Sequence, residues 1–270
     1  MKIKNILALA LCLLLLAGVT LACNTADDKT IRVGASVTPH AEILKVAEVR
    51  LLEKGYSLEI VEFTDYVQPN LAVESGELDA NFFQHQPYLD DFNANNGTHI
   101  VSIASIHYEP FGIYAGKLSS LDEVSDGSTV AIPNDGTNEA RALMLLEQLG
   151  WIKLNEDAGF LATKLDIAEN PYNLDIIEIE AAQLARSLAD VDFAIINGNY
   201  ALQAGLSAKS DALAIESSDS LAATTYANVL CCLEGNEDDP ALLALVEALQ
   251  SAEVREYIEA NYDGSVVPMF

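Results

Sequence analysis

The chain has 270 residues, 50% hydrophobic and 20% charged, enough to bury a large core in one large or two modest domains. Acids outnumber bases 41 to 14. The formal net charge of −27 repels nucleic acid and anionic lipid headgroups but steers a zwitterion little.

Residues 1–22 read as an address rather than as structure. Lys2 and Lys4 make a basic start, Ile6 to Val19 is almost wholly apolar, and small Ala22 precedes Cys23. That is the pattern of a secretory signal, and a cysteine at the cut suggests lipidation. The stretch resembles a bacterial lipoprotein signal, cleaved before Cys23, whose sulfur then carries a diacylglycerol. An uncleaved membrane anchor is the alternative, but the apolar run is near the lower limit for a spanning helix. Residues 23–30 are polar and short, and read as a tether.

Ile31 to Ala35 is expected to be a strand. Thr38-Pro39 starts a helix with Ile43, Val46, Ala47 and Leu51 on one face, and Gly55 stops it. Leu58 to Phe63 is the next strand. Asp65 to Asn70 opens a second helix that ends near Gly76. Leu78 to Phe83 is a third strand, and a helix follows from Pro87, a residue suited to a helix start. This β-α-β-α-β-α order predicts a parallel sheet flanked by helices. Ile100 to Ala115 is too long for one ordinary strand and is interrupted by Pro110, so it reads as a passage from one lobe to another.

A second series follows. Thr129 to Pro133 is a strand, Asn134 to Asn138 a turn and cap, and Glu139 to Leu149 a helix. Leu174 to Ile179 is a strand and Ala182 to Leu188 a helix. Asp192 to Ile196 is a strand ending at Asn197-Gly198, and Leu213 to Ile215 offers another. Tyr226 to Leu233 is β-rich and can return the chain to the first lobe. Helices over Pro240 to Gln250 and Ala252 to Tyr262 close it. A faint echo links Gly76 to Asn81 with Ala189 to Ala194. Both leave a helix for a short strand through an Asp, so two similar lobes joined by two crossovers would face each other across a cleft. The expected fold class is therefore α/β and two-lobed. Residues 31–110 begin lobe one, 111–225 make lobe two, and 226–270 return to lobe one.

Several residues could carry chemistry. Phe82, Phe83, His85 and Tyr88 gather where a strand ends and a helix starts, the edge at which open α/β sheets bind ligands. Arg141 lies in the first turns of a helix, where the dipole disfavours a cation. A guanidinium fork beside a helix N-terminus suits a carboxylate, although a surface pair with Glu139 explains it equally well. Asn197 and Asn228 sit at the edges of apolar strands, and either cap backbone or bind something polar. His85 with Tyr66 or Asp65 could pass a proton, but no nucleophile is identified. The chain has no GxSxG, Walker or dinucleotide pattern, so an enzyme reading is weak. His40, His85, His99 and His107 invite a metal reading, yet no two of them have a locally chelating spacing, and no metal or cofactor is expected. Cys12 leaves with the signal. Cys231 and Cys232 are neighbours on a predicted strand and point to opposite faces, so two buried free thiols are expected.

Four stretches together resemble the NlpA-type lipoproteins, methionine-binding components of bacterial ABC importers. They are Phe63 to Asn70, Asp79 to Leu89, Val130 to Asp135 and Glu180 to Leu184. The resemblance covers Ile31 to the C-terminus. It implies the type II-like periplasmic-binding-protein fold with ligand between the lobes. In it, Arg141 would bind the amino acid's carboxylate, and Asn197 and Asn228 its carboxylate and ammonium. Tyr66, Phe83, His85 and Tyr88 would line the side-chain pocket. The implied protein is extracytoplasmic, lipid-anchored to the cell membrane through Cys23, and partnered by an ABC permease rather than by nucleic acid. Another amino acid or a dipeptide could fill the same cleft. A metal-binding lipoprotein using its histidines is the alternative of another class.

Overall fold

The structure, a computed structural model, describes residues 29–216 and 224–270. The expected leader (1–22), the lipid site Cys23 and most of the tether lie outside the described residues. In chain order the elements are β1 (Thr30–Ser36), α1 (His40–Glu53), β2 (Ser57–Phe63), α2 (Gln68–Glu74), β3 (Ala80–His85), α3 (Gln86–Asn96), β4 (Ile100–Tyr108), β5 (Gly112–Ala115) and β6 (Thr129–Pro133). There follow α4 (Gly136–Gln148), β7 (Lys153–Leu154), β8 (Ile167–Glu169), β9 (Asp175–Ile179), α5 (Leu184–Ser187), β10 (Phe193–Ile196), α6 (Gly198–Gln203), β11 (Ala212–Ile215), β12 (Asn228–Leu233), α7 (Pro240–Leu249), α8 (Ala252–Asn261) and β13 (Val267–Pro268).

Two sheets organise these elements. One has the order β13-β4-β12-β3-β1-β2 and the other β11-β5-β10-β6-β9. The 100–115 run divides at its proline, with β4 in the first sheet and β5 in the second. The β12 segment rejoins the first sheet between β3 and β4. The expected parallel sheet is in fact mixed. β1 pairs β3 in parallel, but β12 runs antiparallel to both β3 and β4. Strands that return late from the other sheet enter in the opposite direction, which the β-α-β series alone does not reveal.

Each sheet is covered by helices whose apolar stripes follow from the sequence. α1 buries Ile43, Leu44, Ala47 and Leu51 against β1 and β3 in one core with Leu245, Leu249 and Ile258 from α7 and α8. α4 buries Leu143, Leu145 and Leu146 against β6 and β10 in the other. Cys232 belongs to the α1 core, while Cys231 faces the opposite cluster with Leu78 and Leu89. Both thiols are free and buried, as alternation along a strand predicts.

The weak echo has a physical basis. Asp79 accepts the backbone N–H of Arg32 at 2.7 Å, and Asp192 accepts that of Thr129 at 2.7 Å. In each lobe an Asp just before a strand is clamped to the start of its parallel neighbour. The clamp also explains why β3 starts at Ala80 rather than at the expected Leu78. The Leu78 N–H is used at Ala72 O, closing the end of α2. Other differences are local. α4 starts earlier than expected because Asp135 caps it, accepting from the Asn138 N–H at 3.1 Å. The expected helix over Ala182 to Leu188 is a 3-10 turn running into the short α5. α6 begins within the Asn197-Gly198 pair that reads as a strand end, and the antiparallel β7–β8 pair has no counterpart among the expected elements.

Candidate functional site

β3 delivers the site's first residues. Its last residue, His85, caps α3, and its Nδ1 accepts the Tyr88 N–H at 3.2 Å. That bond leaves Nε2 as the donor, and it meets Asn138 Oδ1 on α4 at 3.2 Å. Burial, reinforced by Arg141, lowers the His85 pKa to about 3, so the ring is neutral at physiological pH. Gly97 ends α3 with φ 64°, a left-handed conformation that suits glycine.

The aromatic wall forms around Tyr66. Its ring centroid lies 5.8 Å from Phe83, 5.7 Å from Tyr88 and 5.0 Å from Tyr200. These are ordinary separations for favourable ring pairs. The Tyr66 hydroxyl donates to Asn199 Oδ1 at 2.5 Å, and the Tyr200 hydroxyl donates to Thr64 O at 3.1 Å. Both bonds join the segment after β2, of the first sheet, to α6, which follows β10 of the second. Behind the wall, Asn70, Asn81 and Gln84 form a buried amide network with links of 2.7 to 3.0 Å, which fixes β3 against α2.

Arg141 is not the surface partner of Glu139. It is 5% exposed and pairs with Glu216, its Nε donating to Oε2 at 3.0 Å and its Nη2 bonding Oε1. Nη2 also donates to Glu109 O at 2.9 Å. The guanidinium carbon stands 4.4 Å from the centroid of the Tyr226 ring and 4.8 Å from that of Phe111. Burial opposes the charge, but the facing Glu216 outweighs it and the pKa is raised. These bonds use Nε and Nη2 and do not involve Nη1. Glu139 instead accepts the Lys164 N–H at 3.0 Å, and burial raises its carboxyl to about 7.

The remaining walls are polar. Asn197 Nδ2 donates to Asn138 Oδ1 at 2.8 Å, while Asn197 Oδ1 is buried without a hydrogen-bond partner. Glu109 is buried at the passage between β4 and β5, its Oε1 2.7 Å from His107 Nε2. Its pKa is raised, chiefly by burial. Tyr66, Phe83, His85, Tyr88, Arg141, Asn197 and Asn228 all line one cavity. Phe82 alone of the strand-end group faces away, into the α1 core.

Gln84, Glu109, Asn138, Gly198 and Asn199 line the same cavity and are not among the ligand-binding residues expected from the sequence. Only Gln84, beside His85, carried a local signal. The fold also brings two of the histidines together. Their sequence spacing offers no chelate, yet His40, His107 and Glu109 bring ligand-type atoms within 4.8 Å of one another, all buried. His107 Nε2 stands 2.7 Å from Glu109 Oε1. Two ligands on a tetrahedral zinc ion, each about 2.0–2.1 Å from it, stand roughly 3.3 Å apart. The observed contact therefore fits a hydrogen bond better than a shared ion. His99 lies on the surface with Glu74 at 3.0 Å.

The NlpA lipoprotein family model matches residues 31–270. A D-methionine-binding lipoprotein MetQ from Salmonella typhimurium is 43% identical over 244 residues, covering 89% of each chain. A solved structure from Ruminococcus gnavus is 57% identical, with a TM-score of 0.89, over 90% of this chain and 100% of that one. A nutrient binding protein from Burkholderia cenocepacia, solved bound to methionine, is 46% identical with a TM-score of 0.85, over 89% of this chain and all of the other. Among the described residues no helix is long and apolar enough to cross a membrane.

Proposed function

The chain belongs to the NlpA lipoprotein family, and we propose that it captures methionine between its lobes and delivers it to an ABC permease. Binding, and no covalent step, is the whole of its task. The observation that carries this reading is the cavity itself: a cation, a carboxylate and a ring wall share one buried space. The guanidinium edge not held by Glu216 is suited to the ligand's carboxylate. Glu109 and the unpartnered Asn197 Oδ1 are suited to its ammonium. Asn228 completes the polar end. Tyr66, Phe83, His85 and Tyr88 offer ring surface to a soft thioether, a favourable contact. The relative named for D-methionine and the neighbour solved with methionine support the same ligand.

The lobes would divide near residues 110–111 and 225–226, with ligand stabilising the closed arrangement that docks on the permease. The family's description as lipoproteins supports an anchor at Cys23. Labelled fatty acid should enter the wild type and not the Cys23→Ser variant. Mass spectrometry of the small molecule released on denaturing freshly purified protein tests the ligand. Methionine is expected; a dipeptide or another amino acid alone would overturn the assignment.

A further inference from the structure

His40 and His107 are among the most buried polar residues of the protein, 1% and 0% exposed, and neither lines the cavity. They stand one layer behind it. Their rings are 4.8 Å apart, and both meet Phe82 edge-on, at 4.7 and 5.3 Å. The sheet explains the convergence. Asn228 opens β12 in register with His107 on β4 and with His85 on β3. His40, the first residue of α1, reaches the same point.

Each ring contacts a residue of the cavity wall. His107 Nε2 lies 2.7 Å from Glu109 Oε1, and His40 Nε2 lies 3.0 Å from Asn228 Oδ1. His40 Nε2 is also 3.5 Å from Glu109 Oε1. All these partners are oxygens, and an ionised carboxylate only accepts. Both Nδ1 atoms are buried without a hydrogen-bond partner. A proton on Nδ1 would be an orphaned buried N–H and would leave a bare Nε2 facing an oxygen. A proton on Nε2 satisfies the short contacts and leaves only an unused acceptor.

We propose that His40 and His107 are positioning residues which, as neutral Nε2–H tautomers, set the hydrogen-bonding sense of the head-group site. His107 donates to Glu109 and keeps it an acceptor, turned to the ligand's ammonium. His40 occupies Asn228 Oδ1 and so turns the amide's Nδ2 hydrogens toward the ligand's carboxylate. One ring thus fixes an acceptor and the other a donor, a pair that selects an intact α-amino acid over its deaminated or decarboxylated analogue. This rests on the amino-acid reading of the cavity.

The test uses methionine, 3-(methylthio)propylamine, which lacks the carboxylate, and 4-(methylthio)butanoate, which lacks the amine. His40→Leu is expected to weaken methionine and the butanoate at least tenfold and to leave the amine within twofold. His107→Leu is expected to do the reverse. His40→Gln and His107→Gln, which keep a donor near the Nε2 position, should restore most of the loss. Equal weakening of all three ligands by both Leu variants, or of none, overturns the assignment while methionine binding by wild type stands. Failure of wild type to bind methionine overturns the amino-acid reading first and this assignment with it. Long-range 1H–15N spectra of histidine-labelled wild type give an independent measure. Both rings should show the neutral Nε2–H pattern between pH 6 and 8, and an Nδ1–H tautomer at either overturns the proposal.

Discussion

Glu216 holds the Nε edge of Arg141 at 3.0 Å, across 75 residues of sequence and in a buried setting. The pair orients the fork and leaves Nη1 outside those bonds. Removing one partner of a buried ion pair strands the other and costs about 3–5 kcal/mol of stability. Glu216→Ala should therefore lower the melting temperature sharply and also loosen methionine, because the guanidinium is no longer aimed. Arg141→Lys keeps a charge but loses the fork. It should weaken methionine by about 10- to 150-fold, the equivalent of a charged hydrogen bond of roughly 1.5–3 kcal/mol. Calorimetric titration and thermal melts of both variants check this.

Gly198 faces Glu109 with no room for a side chain. A Cβ there would stand 2.6 Å from Glu109 Oε2 and 2.7 Å from Glu109 Cβ. The carboxylate end can swing, but Cβ is fixed to the backbone, so the segment between β4 and β5 must shift. Overpacking of this kind costs about 1–3 kcal/mol. Gly198→Ala should bind methionine at least fivefold more weakly, measured by competition, with the displaced Glu109 visible in its crystal structure.

Tyr66 and Asn199 are joined through one hydroxyl, at 2.5 Å. Tyr66→Phe removes that bond and keeps the ring. The net value of such a bond is about 0.5–1.5 kcal/mol. The closed form should weaken accordingly, and stopped-flow kinetics should show methionine leaving 2- to 12-fold faster with little change in its association rate.

Much of this arrangement was legible in the residue order, and the limits are physical. Pro87, Gly97 and Asp135 mark helix ends by local chemistry, so those boundaries are readable to within a few residues. The run from Phe83 to Tyr88 is local too, and it forms one wall of the cavity. Glu216 and Asn138 are different. Each matters through a partner 53 to 75 residues away, and an Asp- and Glu-rich chain offers no local reason to prefer one acid over another. His40 and His107 meet because β12 threads between β3 and β4 in antiparallel register. A reading that assumes a parallel sheet cannot foresee that meeting.

His40, His85 and His107 are buried as neutral rings, with pKa values lowered to about 4, 3 and 3, in each case chiefly by burial. The unfolded chain takes up protons at these positions near pH 6.5 and the folded chain does not. Their stabilising contribution is thus complete above pH 6.5 and is lost as pH falls toward 4. Each ring adds a slope of up to about 1.4 kcal/mol per pH unit. Glu109, Asp135 and Glu139, whose pKa values are raised chiefly by burial, act in the opposite sense over the same interval. The rings are therefore read by difference. Denaturant unfolding of ligand-free wild type, His40→Leu and His107→Leu should show the histidine-linked fall in stability between pH 6.5 and 5 becoming shallower in each variant; an unchanged slope contradicts a neutral buried imidazole at that position.

The central claim is that one methionine is held by Arg141 and the ring wall in a single cavity. The direct measurement is calorimetric titration of ligand-stripped protein with L- and D-methionine, on wild type and on Arg141→Ala. One methionine per wild-type chain is expected, of at least one hand, with binding by Arg141→Ala reduced at least tenfold. Absence of heat with both enantiomers, or equal affinity in wild type and Arg141→Ala, would contradict it.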